Sequence, residues 1–174
     1  MNLGELLLQK RNAISKSWFS LIVDTYPPDT SSFLRKQKDQ FSNPVGSAIS
    51  QGIEGILDEI MNGLDPERVS PFLDKLIRVR AVQEFTPSEA VGFVFMLKKV
   101  IRENLDREIR DNRLFDELTA LESRIDDLAG IAFNIYMECR EKIFELKATE
   151  LNRWTHKLLE RVNLSAETRT EEDE

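Results

Sequence analysis

Thr86-Pro87-Ser88-Glu89-Ala90-Val91-Gly92-Phe93-Val94-Phe95-Met96-Leu97 opens a helix and then leaves it no polar side. The Thr86 hydroxyl suits a cap position, Pro87 loses nothing at the first helical residue, and the Glu89 side chain can reach back to the cap. From Ala90 to Leu97 no residue is polar, and a helix that is apolar all round is buried all round. The stretch predicts a helix over 87–109 at the centre of an all-α domain, with Gly92 permitting close approach of a neighbouring helix.

Working outward, helical spacing recurs almost everywhere. Asn2 with Glu5 forms a capping-box start, and Leu3, Leu7, Ile14, Trp18, Leu21 and Ile22 then mark one face of a helix over 3–25 that Pro27-Pro28 stops. Residues 29–42 read as a loop holding a short helix around 32–38. Asn43-Pro44 begins the cleanest amphipathic helix, which ends at Asn62-Gly63. Asp65-Pro66 and Ser70-Pro71 repeat the cap-then-proline device, which predicts one turn and then a helix over 71–82. After Arg110-Asp111-Asn112 the apolar spacing continues without proline to about Val162, far longer than the usual helix of about 11 or 12 residues. No segment has the alternation of a strand, and no repeat is evident.

Composition bounds the function. The 174 residues carry 24 Lys and Arg against 31 Asp and Glu, a net charge of −7, with 1 Cys and 1 His. That length fits one domain able to bury roughly 70% of its extended surface. One Cys closes no bridge within the chain, so a reduced, cytoplasmic setting is expected. The first residues lack a basic region and a long apolar run, and no stretch approaches the about 20 apolar residues of a spanning helix, so neither secretion nor membrane insertion is expected. An acidic balance argues against nucleic acid as a partner, because phosphate contacts need clustered Lys and Arg.

Catalysis fails on inventory. Cys139 and His156 stand 17 positions apart on one predicted helix, roughly 25 Å along its axis. Cys139 falls on the apolar stripe between Ile135 and Ile143 and reads as a small core residue; His156, flanked by Thr155 and Lys157, reads as solvated. Carboxylates such as Asp126, Asp127, Glu138, Glu141 and Glu145 follow ordinary helix-surface spacings. Gly46, Gly52 and Gly55 sit inside a helix and read as packing notches. No enzyme activity, metal or cofactor is expected. The segment from Arg78 to Phe93 admits two readings: basic residues complementing the negative end of a helix, or a polar elbow of Arg78, Arg80, Gln83 and Glu84 presented to a ligand or partner.

Phe41-Ser42-Asn43-Pro44-Val45-Gly46, Arg78-Val79-Arg80-Ala81-Val82-Gln83-Glu84-Phe85-Thr86-Pro87-Ser88-Glu89-Ala90 and Val94-Phe95-Met96-Leu97-Lys98-Lys99-Val100 resemble the N-terminal domain of RsbRD-type co-antagonists of the RsbT kinase. The likeness covers about residues 5–110. It implies a sensory module of bacterial stressosome signalling with a globin-like, haem-free helical fold, a homodimer, and an unidentified partner supplying the output, because no STAS domain is expected here. A haem ligand would come from the helix over 71–82, which has no His, Cys, Met or Tyr, so Phe85, Phe93 and Phe95 are expected to fill the pocket position, or to line it around a small apolar ligand. The expected organisation is a sensory domain over 1–147, a helical extension over 148–163 and a disordered acidic tail over 164–174. Phe144, Leu151, Trp154 and Leu158 form the candidate dimer or partner face of the long C-terminal helix. The alternative is a helical carrier or sensor enclosing a fatty acid or a cofactor.

Overall fold

A computed structural model describes the backbone of residues 2–36 and 41–172, and side chains as far as 162. Six helices follow one another: α1 (Leu3–Val23), α2 (Pro28–Lys36), α3 (Pro44–Met61), α4 (Pro66–Val82), α5 (Pro87–Asn112) and α6 (Phe115–Glu172). Among the described residues there is no strand. The chain divides into two units, Met1–Met137 and Glu138–Glu174.

Local chemistry sets most of the helix starts. Asn2 and Glu5 satisfy each other's backbone N–H at the head of α1, and Thr86 and Glu89 do the same for α5. Asn43 accepts from the Gly46 N–H and Asp65 from the Glu67 N–H, each with proline at the first helical position. The Asn43 amide also donates to the Leu34 carbonyl at 3.0 Å, so one side chain caps α3 and fixes the end of α2. Left-handed residues end three helices: Gly63 and Leu64 after α3, Glu84 after α4 and Arg113 after α5.

In the first unit α1 packs on both α3 and α5, and α3 packs on α4. Trp18 is fully buried; its indole N–H donates to the Phe93 carbonyl at 2.7 Å and its ring lies 6.2 Å from the Phe93 ring. Gly52 and Gly55 act as notches in α3: a Cβ on Gly52 would meet the Leu76 side chain at 2.9 Å and the Phe72 carbonyl at 3.2 Å, and one on Gly55 would strike the Phe72 ring at 2.3 Å. Gly46 has a different neighbour, its own capping Asn43. The first part of α6 returns along α5, tied by Lys98 to Asp126 and Arg102 to Glu122, each at 2.6 Å. It reaches α1 through the Leu3 N–H on Glu117 and α3 through Arg124 on the Ile60 carbonyl.

Several expectations change. The short helix occupies Pro28–Lys36; the last two residues of the expected span 32–38 lie outside the described residues. Pro71 does not begin a helix but lies inside α4, removing one donor; the buried Val69, Leu73, Leu76 and Ile77 hold both sides of it in register against α3. A Cβ on Gly92 would meet nothing within 4 Å, and Phe95 is 50% exposed, so α5 is buried on one side and open on the other. The reason is that α6 covers only part of the face that α1 leaves free. In backbone α6 continues to Glu172, past the end expected near Val162 and into the acidic tail, where no Gly or Pro interrupts the run. Tail side chains beyond Val162 lie outside the described residues.

Because the Phe72 carbonyl is backbone and cannot move aside alone, Gly52→Val is expected to lower the unfolding free energy by about 1–3 kcal/mol in denaturant titration. An unchanged midpoint would remove the α3–α4 notch from the packing of the core.

Candidate functional site

The helix period of α4 carries Leu73, Leu76 and Ile77 inward, and Arg80, three residues after Ile77, follows them. Its guanidinium is 1% exposed. One arm donates to the Glu89 carbonyl at 2.8 Å, in the first turn of α5. The other donates to the Thr25 hydroxyl at 2.9 Å and reaches the Ile22 carbonyl at 3.5 Å, at the end of α1. Three rings close around it, with Tyr26, Phe85 and Phe93 centred 5.3, 5.0 and 5.2 Å from its central carbon. Tyr26 and Phe85 also meet edge to face at 5.4 Å.

Among the described residues no carboxylate contacts this cation directly. Burial pulls the Arg80 guanidinium below its usual pKa, against the opposing pull of Tyr26 and, more weakly, Glu89; burial pushes the Tyr26 phenol up. The Glu89 carboxylate is held below the usual range by the Thr86 hydroxyl and N–H that cap α5. The linker between α4 and α5 is fixed from a second side, since the Tyr136 hydroxyl of α6 donates to the Phe85 carbonyl at 2.7 Å.

The four residues of the expected elbow therefore divide. Arg78 is exposed and pairs with Asp74 at 2.8 Å, and Gln83 and Glu84 are exposed. Arg80 corrects the reading: it is turned inward and unavailable to an outside partner. Phe93 is fully buried and Phe85 half-buried, both beside Arg80, whereas Phe95 faces an open groove of about 630 Å³ lined by Val91, Gly92, Phe95, Ala129, Gly130 and Phe133, with Asp126 at its margin. Sequence reasoning does not single out the α6 half of this groove, although Gly130-Ile131-Ala132-Phe133 repeats the spacing of Gly92-Phe93-Val94-Phe95.

The second unit is the later part of α6. There Phe144, Leu151, Trp154 and Leu158 are 58–67% exposed, and Arg140 lies over the Phe144 ring at 5.1 Å. Cys139 is half-buried, and His156 is exposed within 3.9 Å of Glu160. Among the described residues no group of three or more His, Cys, Asp or Glu is placed to hold a metal ion, and no helix is long and apolar enough to cross a membrane.

Residues 12–151 match the sequence profile of the family described as the RsbT co-antagonist protein rsbRD N-terminal domain. A protein of Archaeoglobus fulgidus, described as uncharacterized, is 27% identical over 109 residues, spanning 61% of this chain and 68% of the other. No solved structure matches the chain.

Two neighbouring arginines should respond differently to removal. Arg80→Met leaves the Thr25 hydroxyl and the Glu89 carbonyl without their donor and is expected to cost about 2–4 kcal/mol of stability, and Arg80→Lys should not restore it, because a single ammonium cannot serve both sides of the fork. Arg78→Ala should stay within about 1 kcal/mol of the parent. Equal, small effects in thermal melts would place Arg80 outside the structural core.

Proposed function

Because the chain belongs to the family of RsbT co-antagonist protein rsbRD N-terminal domains, we propose that it is a non-catalytic cytoplasmic signalling module, a homodimer that regulates a separate output protein through helix contacts. The family is one of signalling regulatory domains, and the two charged side chains that are buried among the described residues of the first unit support a role without turnover. Arg80 is engaged by carbonyls, a hydroxyl and rings, while Glu59 is paired with Arg68 at 2.9 Å. Neither is left to act on a substrate.

The observation that carries the reading is the apolar surface on the second unit. Phe144, Leu151, Trp154 and Leu158 each remain more than half exposed, and burying a side chain of this size in a partner contact is worth about 1.5–3 kcal/mol. Leu151 and Leu158 follow Phe144 at intervals of seven, which suits a helix partner. Arg78, Gln83 and Glu84 offer a polar contact on the first unit.

A second reading keeps a small apolar ligand, such as a fatty acid, and rests on the open groove beside Phe95 and Phe133.

Sedimentation velocity of the full chain at micromolar concentration is expected to give twice the chain mass of 20.1 kDa. A monomer would sink the dimeric reading. Native mass spectrometry separates the alternatives, since a stoichiometric small-molecule adduct on a monomer favours the ligand.

A further inference from the structure

The face on which α5 and α6 lie side by side, within the first unit, has features that fit a copy of itself. Phe95 and Phe133 stand 50% and 47% exposed, one from each helix. Beside them are two mid-helix glycines, Gly92 and Gly130, and a Cβ added at either would meet nothing within 4 Å. The face thus carries two projecting rings and two open notches.

The charged pairs across the hairpin fix the register. Lys98 with Asp126 and Arg102 with Glu122 keep one alignment, in which Phe95 lies level with Ala129 and Gly92 level with Ala132. Phe95 is therefore within about one helical rise, ~1.5 Å, of the height of Gly130, and Phe133 within the same distance of Gly92. Charge is segregated in the same frame. Next to the groove α5 presents Lys98, Lys99 and Arg102, with Glu103 paired to Lys99 at 3.7 Å, whereas α6 presents Glu122, Asp126 and Asp127. Lys99 and Asp127 are both exposed, and each falls on the helical stripe of its own groove glycine, seven positions after Gly92 and three before Gly130.

We propose that this α5–α6 face binds the same face of a second copy of the chain, about a two-fold axis running along the helices. The inference rests on the dimeric reading above and gives that dimer its surface. With the axis so placed, equal heights meet: α5 of one copy lies on α6 of the other, each Phe95 enters the notch at Gly130, and each Phe133 enters the notch at Gly92. The basic stretch of each α5 then faces the acidic stretch of the opposite α6. A two-fold axis lying in the plane of the face but perpendicular to the helices, and passing between the rings, would leave those charged stretches unopposed. An interface of this isologous kind must be complementary to itself in shape and in charge, and this face is both.

The test uses the full chain in sedimentation equilibrium, with circular dichroism to verify the fold of each variant. Phe95→Lys with Phe133→Lys, both at exposed positions, should weaken self-association by ~tenfold or more while leaving helicity unchanged. Lys99→Glu alone and Asp127→Lys alone should each weaken it, and the two combined should recover most of the loss. A parent chain that is monomeric throughout overturns this inference together with the dimeric reading. A dimer that survives the groove substitutions but dissociates on Leu151→Lys with Leu158→Lys overturns this inference alone and leaves the dimeric reading standing. A monomer carrying an apolar adduct that Phe95→Lys with Phe133→Lys removes would assign the groove to a ligand and overturn the proposal.

Discussion

A guanidinium sealed from water without a carboxylate in contact is the constraint around which the first unit is arranged. Burying a charge is costly unless its donors are satisfied, and here they are satisfied by the Glu89 carbonyl and the Thr25 hydroxyl, with the Ile22 carbonyl at longer range. Those acceptors belong to the end of α1 and the start of α5, while Arg80 itself sits in the last turn of α4. Three helix ends therefore hold their relative positions because one side chain needs all of them. Ring faces complete the shell, and they stabilise a planar, weakly hydrated cation without bringing in a second charge that would itself have to be desolvated.

The same arrangement explains why the segment between α4 and α5 is so closely fixed. Glu84 adopts a left-handed conformation with φ of 61°, uncommon for a residue with a side chain, and it allows the Phe85 N–H to return to the Arg80 carbonyl at 3.1 Å. Phe85 is then placed to cover the guanidinium on one face and to accept from Tyr136 through its carbonyl. A short link between two helices thus joins α4, α5 and α6 through three different kinds of contact.

What could be read from the sequence follows from the range of the interaction that determines it. Caps are local: Asn2 with Glu5, Asn43 with Pro44 and Thr86 with Glu89 each act within a few residues, and all three structure their helices as their spacing implies. Arg80 depends on distant partners, Thr25 being 55 positions away. Its inward direction is nonetheless written in α4, since Leu73, Leu76, Ile77 and Arg80 share one helical stripe and Arg78 falls off it. The default that arginine is exposed conceals the signal. Pro71 misleads in the opposite sense, because a proline reads as a helix start where the packing of neighbouring residues carries the helix through it.

Glycine shows most plainly where local reading stops. A glycine inside a helix costs roughly 1 kcal/mol relative to alanine wherever it occurs. At Gly52 and Gly55 the cost is offset within the chain, because α4 closes to a distance that a Cβ would forbid. At Gly92 and Gly130 nothing among the described residues comes close enough to require the missing methyl, and both open onto the groove that exposes Phe95 and Phe133. Identical residues in identical secondary structure therefore answer to different neighbours. For the second pair a compensating contact would come from a second copy of the chain, and rings that project at the height of those notches supply the shape that the proposed dimer needs.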